Sequence, residues 1–505
     1  MVFLPNDSMR QVRKPPQNPK RVRGLRAVLM PELSPDERIR NFSEVASGYT
    51  PGMASAEAMR CLLCRGATAK CVRNCPIGIN IPKFIAEVAA GKFTQAYQTI
   101  RKQNPLPGVC GRICPQEGQC QTQCIAALKG EAVSVAHLER FVGDWQRSRA
   151  GSPAGRPIPP EAPRVAVIGS GPAALTCAAD LARFGCDVTV YEGLGQAGGV
   201  LMYGIPDFRL PKVVVEQEVE GIRRMGVRFC FHEAINGIEA LRELLDKSGF
   251  QAAYVSSCAE LPAASRIPAG NLKGTYSAQE FLARIRQALD GESALEQDVP
   301  LPSSRVVVAG GGNTAIDCAR AAVRMGASEV TVAYRRSLQE MPARACEVEY
   351  ARQEGIQFLP LSTPVRLIGD AENKLRRVEC VETELGAPDP SGRACPILKS
   401  GSEFQLSADT WVMSMGQGPN PVWANTIRGL ESGTQGGFEE KAEAHRTCIP
   451  GVFAGGEMIG GGAITLAMRA GRTAARAIHR YLSSRTVLSD GSTQNIGLRR
   501  RTVII

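Results

Sequence analysis

The sequence contains no long hydrophobic run. None of its apolar stretches approaches the roughly 20 residues that a membrane-spanning helix requires. Its start, MVFLPNDSMRQVRKPPQNPKRVRGLR, has no apolar core followed by a cleavage site of small residues, which a secretory signal would need. We therefore expect a cytoplasmic protein without a membrane span. Its 505 residues are enough for roughly two to four domains with large cores.

Aromatic residues are also few, at 5% of the chain, although the net charge is +11. A basic protein that binds nucleic acid usually adds a helix-turn-helix or an aromatic stacking platform, and the sequence shows neither pattern. Much of the positive charge lies near the two ends, at Arg13, Lys14, Lys20, Arg21, Arg23 and Arg26 and at Arg499, Arg500 and Arg501. We interpret these runs as solvated tails that dock onto an acidic partner, and we expect no nucleic-acid binding.

Cysteine is sparse over most of the chain but dense in one segment. Eight of the 17 cysteines lie between residues 61 and 124, with the spacings C-x2-C-x6-C-x3-C-P and C-x3-C-P-x4-C-x3-C. Nothing indicates the oxidising compartment that disulfides require, and zinc sites prefer two C-x2-C pairs, of which only Cys61 and Cys64 form one. Cysteine runs that end in Cys-Pro are typical of [4Fe–4S] ferredoxins, in which the last cysteine serves the other cluster. We predict two [4Fe–4S] clusters with crossed ligation, with zinc as the alternative.

The segments around these cysteines have helical periodicity. IPKFIAEVAAGKFTQAYQTIRKQNPLP places apolar residues at helical spacing, and VSVAHLERFVGDWQRSR repeats the pattern. The apolar positions of the first segment are Phe84, Val88, Phe93, Tyr97 and Ile100. We predict a helical iron–sulfur domain over residues 49–150, preceded by a basic arm over residues 1–48.

A different architecture follows a proline-rich linker at residues 151–163. RVAVIGSGPAALTCAADLARFGCDVTVYE predicts a strand, a glycine turn, a helix and a second strand. Gly169, Gly171 and Ala174 fit G-x-G-x-x-G/A, which brings a pyrophosphate close to the backbone at a helix N-terminus. Glu192 ends the second strand, where a carboxylate accepts hydrogen bonds from ribose hydroxyls. We assign this unit to FAD.

The same pattern recurs in RVVVAGGGNTAIDCARAAVRMGASEVTVAYRR. Gly310, Gly312 and Ala315 form the motif, and Arg335 and Arg336 replace the glutamate at the end of the second strand. Two guanidinium groups would hold a 2′-phosphate that an acid would repel, so we assign this unit to NADPH. The alternative is that the two arginines are a solvated strand end. The other candidate coenzyme ligands here are Asn313, Thr314 and, as a possible helper, Arg344.

A third glycine-rich segment, GVFAGGEMIGGGAITLAMRAGRTAARAIHRYL, is similar to the closing segment of two-dinucleotide flavoproteins. It predicts a split FAD domain, at residues 164–300 and 415–483, with the NADPH domain inserted at residues 301–414 and a tail at 484–505. The predicted fold class is therefore a multidomain α+β protein, in which a helical two-cluster domain precedes two Rossmann-like α/β domains, one inserted in the other.

From about residue 28 to residue 483 the chain closely resembles the glutamate synthase small-subunit (β-subunit) family. That family includes the large subunit of NADH-dependent ferredoxin:NADP oxidoreductase and the N-terminal half of dihydropyrimidine dehydrogenase. The matching segments are MPELSPDERIRNFSEVASGYT, CVRNCPIGINIPKFI, PLPGVCGRICPQ, YGIPDFRLPK, YRRSLQEMPAR, GQGPNP and GVFAGGE. Within the family, NCPIGINIPKFI is most similar to the homotetrameric NADPH glutamate synthase-like branch and the bifurcating branch.

The resemblance implies a set of ligands. It assigns Cys61, Cys64, Cys71 and Cys124 to the cluster nearer the flavin. It assigns Cys75, Cys114 and Cys120 to the second cluster, with Glu139 where a relative uses glutamine. Cys110 competes with Glu139 for that place. The implied flavin contacts are Gly169, Gly171, Glu192, Val200, Arg209, Glu457 and Thr465.

Two positions depart from the family pattern. Glu457 replaces the usual aspartate of a GGD motif, and Ser256-Ser257-Cys258-Ala259 replaces an ATGA stretch that passes close to the flavin. We interpret Cys258 as a structural cysteine whose side chain could shift flavin packing.

The implied activity is an electron relay between NADPH, FAD and two [4Fe–4S] clusters. It requires no catalytic acid or base, because the cofactors carry the chemistry and the protein positions them. No glutaminase or amidotransferase region is recognisable, so we expect a subunit of a hetero-oligomer. Its expected partner is a synthase large subunit, a small flavoprotein subunit or a ferredoxin. The alternatives are the large subunit of an electron-bifurcating NADH-dependent ferredoxin:NADP oxidoreductase or a related sulfide dehydrogenase, and a scaffold subunit whose nucleotide sites have decayed.

Overall fold

The computed structural model describes residues 26–66, 69–149, 158–256, 261–262, 267, 272–289, 291, 304–389, 392–418, 447, 449–456 and 463–489. Most of the predicted linker lies outside these ranges, and so do all the basic residues named near the chain ends except Arg26. Within them, no helix is both long enough and apolar enough to cross a membrane.

The N-terminal unit is helical. Its helices are α1 (Pro35–Arg38), α2 (Pro51–Met59), α3 (Lys70–Arg73), α4 (Ile81–Ala89), α5 (Phe93–Arg101), α6 (Pro107–Ile113) and α7 (Val135–Arg147). Asn80 caps α4, since its side chain accepts a hydrogen bond from the Lys83 amide at 3.3 Å. Phe84, Val88 and Ile100 are fully buried. Their burial confirms the predicted helical periodicity.

The segment before these helices packs against the rest of the chain. The Val45 amide donates to the Phe208 carbonyl at 3.1 Å, and the buried Arg38 donates to the Gln353 side chain at 3.0 Å. The described part of the predicted basic arm is therefore a folded strap that contacts both α/β units.

The first α/β unit contains a parallel five-stranded sheet in the order β15-β4-β1-β2-β3. Its strands are β1 (Arg164–Ile168), β2 (Asp187–Glu192), β3 (Arg228–Phe231), β4 (Ala252–Val255) and β15 (Val452–Ala454), and its helices are α8 (Pro172–Arg183), α9 (Val200–Tyr203), α10 (Lys212–Arg223), α11 (Gly237–Asp246) and α15 (Ile464–Ser489). Because β15 pairs with β4, the last part of the chain completes the first sheet. Helix α15 runs six residues past the predicted domain end at 483.

The second α/β unit contains a parallel sheet in the order β6-β13-β7-β8-β9. Its strands are β6 (Thr275–Ser277), β7 (Arg305–Ala309), β8 (Glu329–Tyr334), β9 (Gln357–Pro360) and β13 (Thr410–Met413), and its helices are α12 (Ala278–Leu289), α13 (Asn313–Arg324) and α14 (Ala345–Gln353). Strand β6 pairs with β13, and α12 packs its buried Phe281 against α13. The second unit therefore begins before residue 275 instead of at residue 301, because its first strand and helix precede the glycine motif that marks it in the sequence.

An antiparallel three-stranded sheet is built into this unit. It consists of β10 (Ser362–Gly369), β11 (Leu375–Pro388) and β12 (Ala394–Ser407). The short strands β5 (Leu261–Pro262) and β14 (Gln417–Gly418) form a separate pair. Neither of these two sheets follows from the motifs in the sequence.

Candidate functional site

Five of the predicted cluster cysteines line one open recess: Cys61, Cys64, Cys71, Cys120 and Cys124. We call the four half-buried ones, Cys61, Cys64, Cys71 and Cys124, the first cysteine group. The recess contains about 440 Å³ of space, part of which is open to solvent. Burial and then the neighbouring thiols of Cys61, Cys124 and Cys64 raise the pKa of Cys71 to about 11. The structure thus brings together the four residues that the family resemblance assigns to one cluster.

The other four cysteines of this segment include two that are buried, Cys110 and Cys120, and two that are half-buried, Cys75 and Cys114. The second cysteine group consists of Cys75, Cys114 and Cys120, together with Cys110 and Glu139. Burial raises the pKa of Cys120 most, and Cys114, Cys75 and Glu139 raise it further. Cys71 of the first group also contributes to this shift, so the two groups are adjacent.

Glu139 and Cys110 both face this second group. Glu139, on α7, accepts a hydrogen bond from the Asn104 side chain at 2.6 Å, and burial raises its pKa to about 8. Cys110, on α6, is 2% exposed and lies 3.5 Å from the Met468 sulfur. Both interact electrostatically with Cys75 and Cys114, so each is a candidate for the fourth ligand.

The donor set fits iron–sulfur clusters. The buried thiols have raised pKa values, so the thiolate form that a metal requires would need the positive charge of iron nearby. In the part of the chain that the structure describes, no three His, Cys, Asp or Glu side chains converge closely enough for one metal ion. Cluster ligands stand farther apart than the ligands of a single zinc ion, because the irons and sulfides occupy the space between them.

The first glycine turn has the shape that a dinucleotide needs. Gly169 has a φ of +89°, which favours glycine. The space beside Gly171 is open where a side chain would begin. Glu192 is buried at the end of β2 and accepts hydrogen bonds from the Ser170 hydroxyl at 2.5 Å and the Leu194 amide at 2.9 Å.

The other predicted flavin contacts differ in placement. Val200 opens α9 next to Gly199, whose added Cβ would lie 3.0 Å from the Gly171 Cα, and Ala174 is buried on α8. Arg209 is buried in an ion pair with Asp317 of the second unit at 2.6 Å, so it joins the two units. Its role as a flavin contact stays a prediction. Glu457 and Cys258 lie outside the described residues.

The second glycine turn is built like the first. Gly310 has a φ of +143°, and a side chain there would collide with the Ser414 carbonyl. The space beside Gly312 is open. Asn313 opens α13 and accepts a hydrogen bond from the Arg344 amide at 3.0 Å, and Thr314 is exposed.

The three arginines predicted near a 2′-phosphate occupy different environments. Arg335 is exposed. Arg336 is buried, donates to the Ala394 carbonyl at 2.6 Å and forms an ion pair with Asp389 at 2.8 Å. The Arg344 guanidinium turns to the helical unit, where it pairs with Glu117 at 2.8 Å. Arg335 is therefore the member of this set best placed to reach a phosphate.

One residue that no motif indicated joins the cysteines to the first unit. Gln119 contacts Cys114 at 3.2 Å and Thr465, in the first turn of α15, at 2.9 Å. The second cysteine group thus touches the helix expected to face the flavin, at Thr465 and at Met468. This contact favours the second group as the one nearer the flavin, in place of the first group that the resemblance implies. Motif matching could not set this order, because it depends on contacts between distant segments.

Two family models match the chain. Residues 38–150 match the dihydropyrimidine dehydrogenase domain II, 4Fe-4S cluster family. Residues 163–476 match the pyridine nucleotide-disulphide oxidoreductase family.

The chain is similar along most of its length to several curated proteins. It is 35% identical over 459 residues to the glutamate synthase [NADPH] small chain of Halomonas elongata, covering 90% of this chain and 96% of that one. It is 33% identical to the Escherichia coli small chain, covering 87% and 94%. The NADPH-Fe(3+) oxidoreductase subunit beta of Geobacter sulfurreducens is 34% identical, covering 76% of this chain and 56% of that one.

A solved structure of Mycobacterium tuberculosis FprA in complex with NADPH matches with a TM-score of 0.54 and 19% identity, covering 65% of this chain and 86% of that one. At that identity the match shows a shared fold.

Proposed function

Because the chain belongs to the glutamate synthase small-chain family, we propose that it relays electrons between NADPH, FAD and two [4Fe–4S] clusters, to or from a separate partner subunit. The observation that carries this proposal is the adjacency of the two cysteine groups, with the second group against Thr465 of the first α/β unit. Cofactors placed on these sites would lie in series, from the second α/β unit to the recess of the first cysteine group.

The residues of the chain bind and orient the cofactors. The turn at Gly169 and Gly171, with Glu192, holds FAD, and the turn at Gly310 and Gly312, with Arg335, holds NADPH. When bound, the cofactors supply hydride transfer and single-electron transfer. The described cysteines form no disulfide, which agrees with action in a reducing cytoplasm.

The partner follows from the relatives. Several of them are named as small chains or beta subunits, and the sequence contains no recognisable glutaminase region. We therefore assign glutamate synthesis to another chain, and favour a synthase-type partner because the small-chain relatives match over almost their whole length.

The test is anaerobic NADPH oxidation by the loaded chain with a dye as acceptor, comparing Gly312→Val with Gly52→Val. An added Cβ meets nothing within 4 Å at either glycine, but only Gly312 faces the proposed coenzyme. We expect Gly312→Val to abolish NADPH oxidation and Gly52→Val to retain it. Equal activity in the two variants, or an FAD- and iron-loaded wild type that does not oxidise NADPH, would refute the proposal.

A further inference from the structure

Gln119 lies between the second cysteine group and the first turn of α15. The Cys114 thiol donates to its Oε1 at 3.2 Å, and its Nε2 donates to the Thr465 hydroxyl at 2.9 Å. Gln119 is half-buried, whereas Thr465 is 2% exposed. A single carboxamide therefore joins a candidate cluster ligand to the helix that packs on α8, although Gln119 and Thr465 are 346 residues apart.

The Gln119 carboxamide can form a hydrogen bond with Cys114 whether the cysteine is a thiol or a thiolate. Its oxygen and nitrogen occupy nearly equivalent positions and exchange by rotation about one bond. A metal-bound Cys114 is a thiolate, which only accepts hydrogen bonds. The Nε2 group would then face the sulfur, and Oε1 would accept from the Thr465 hydroxyl, which also lies within 3.3 Å of Oε1.

The loop holds Gln119 in this position. The backbone amide of Gln119 donates to the Gln116 carbonyl at 3.1 Å. The backbone carbonyl of Gln119 accepts from the Asn74 side chain at 3.4 Å. Asn74 precedes Cys75, and Gln119 itself precedes Cys120. Gln119 is therefore held close to three cysteines of the second group, Cys75, Cys114 and Cys120.

We propose that Gln119 is a positioning residue that donates an N–H···S hydrogen bond to the Cys114 thiolate and raises the reduction potential of the second cluster. The inference rests on the proposed function. A hydrogen bond to a ligating sulfur draws negative charge away from the cluster and favours the reduced state, which carries one more electron. Thr465 orients the carboxamide, so the flavin-side helix and the cluster ligand are coupled through one side chain.

The experiment is a redox titration of the anaerobically loaded chain, followed by electron paramagnetic resonance. Cys75→Ser identifies the signal of the second cluster. Gln119→Leu should make that cluster about tenfold harder to reduce at a fixed potential, which is about 59 mV for a one-electron couple. Gln119→Glu, which adds negative charge, should shift it further in the same direction. The first cluster should keep its potential in both variants.

The matched control is Gln123→Leu, in the same loop. The exposed Gln123 carboxamide accepts from the Lys70 ammonium at 3.3 Å, and its loss should leave the second cluster's potential unchanged. An unchanged second cluster in both Gln119 variants, with wild-type iron and sulfide, would overturn the inference.

If Gln119→Leu fails to load iron, the reduction potential of the second cluster is measured in Thr465→Val instead. This variant removes the orienting hydroxyl but keeps Gln119, so the inference predicts a smaller shift in the same direction, and no shift would overturn it. Failure of the proposed function gives a different result, because the wild-type chain would then lack the two clusters.

Discussion

The first and second cysteine groups differ in what surrounds them. The first opens onto a recess whose rim includes exposed residues such as Lys70 and Gln123. The second is enclosed by α6, α7 and the first turns of α15, and two of its cysteines are buried. The difference orders the two groups along one path. The second lies against the first α/β unit, and the first opens to solvent. Under the proposed function, the second cluster would exchange electrons with the flavin and the first with a partner.

The largest expected effect comes from removing one group at a time. Cys114→Ser should abolish the second cluster and stop NADPH from reducing either cluster, because the path is interrupted next to the flavin. Cys71→Ser should abolish only the first cluster and leave the second reducible by NADPH. Iron analysis and stopped-flow absorbance measure both outcomes. Reduction of the first cluster at the wild-type rate in Cys114→Ser would break the proposed order.

The next effect concerns NADPH, which is the proposed electron donor for both clusters. Arg335→Ala should weaken NADPH binding relative to NADH by about ten- to a hundredfold, since a hydrogen bond to a charged group contributes about 1.5–3 kcal/mol. Both clusters should then be reduced more slowly by NADPH, to the same extent. Steady-state kinetics with each coenzyme provide the measurement.

Arg336→Ala is the matched control for coenzyme choice. Arg336 is buried and paired with Asp389, so its loss should lower the free energy of unfolding by on the order of 3 kcal/mol while the NADPH-to-NADH ratio stays the same. A selective loss of NADPH binding in Arg336→Ala, and none in Arg335→Ala, would reverse the assignment.

The smallest effect distinguishes the fourth ligand of the second group. If Glu139 ligates the cluster, Glu139→Ala should change the spectrum or potential of the second cluster alone, since a carboxylate ligand differs from a thiolate. Cys110→Ala should then leave both clusters unchanged. The opposite pair of results would assign the position to Cys110.

Much of the fold and the site could be predicted from local sequence. The glycine turns at Gly169 and Gly310 and the cysteine runs are short patterns whose chemistry depends on near neighbours in the chain. The family matches confirm the fold class, the family resemblance, the iron–sulfur and nucleotide cofactors and an NAD(P)H oxidoreductase. The individual ligands stay predictions.

Other features depend on contacts between distant segments, which local patterns do not encode. The contact of Gln119 with Thr465 favours the opposite order of the two groups from the one that the resemblance implies. Because β6 pairs with β13, the second unit includes residues that precede its predicted start at residue 301. The ion pair of Arg336 with Asp389, which lies between β11 and β12, gives Arg336 a structural role. The motif treats Arg336 and its exposed neighbour Arg335 as equivalent.

The proposed relay requires that the two cysteine groups hold two four-iron clusters in one chain that also binds a flavin. Iron, acid-labile sulfide and flavin analysis of anaerobically purified protein measures this composition. We expect about eight iron atoms and about eight sulfides per chain, as two [4Fe–4S] clusters require, together with about one FAD. Zinc without labile sulfide, or iron sufficient for one cluster only, would contradict it.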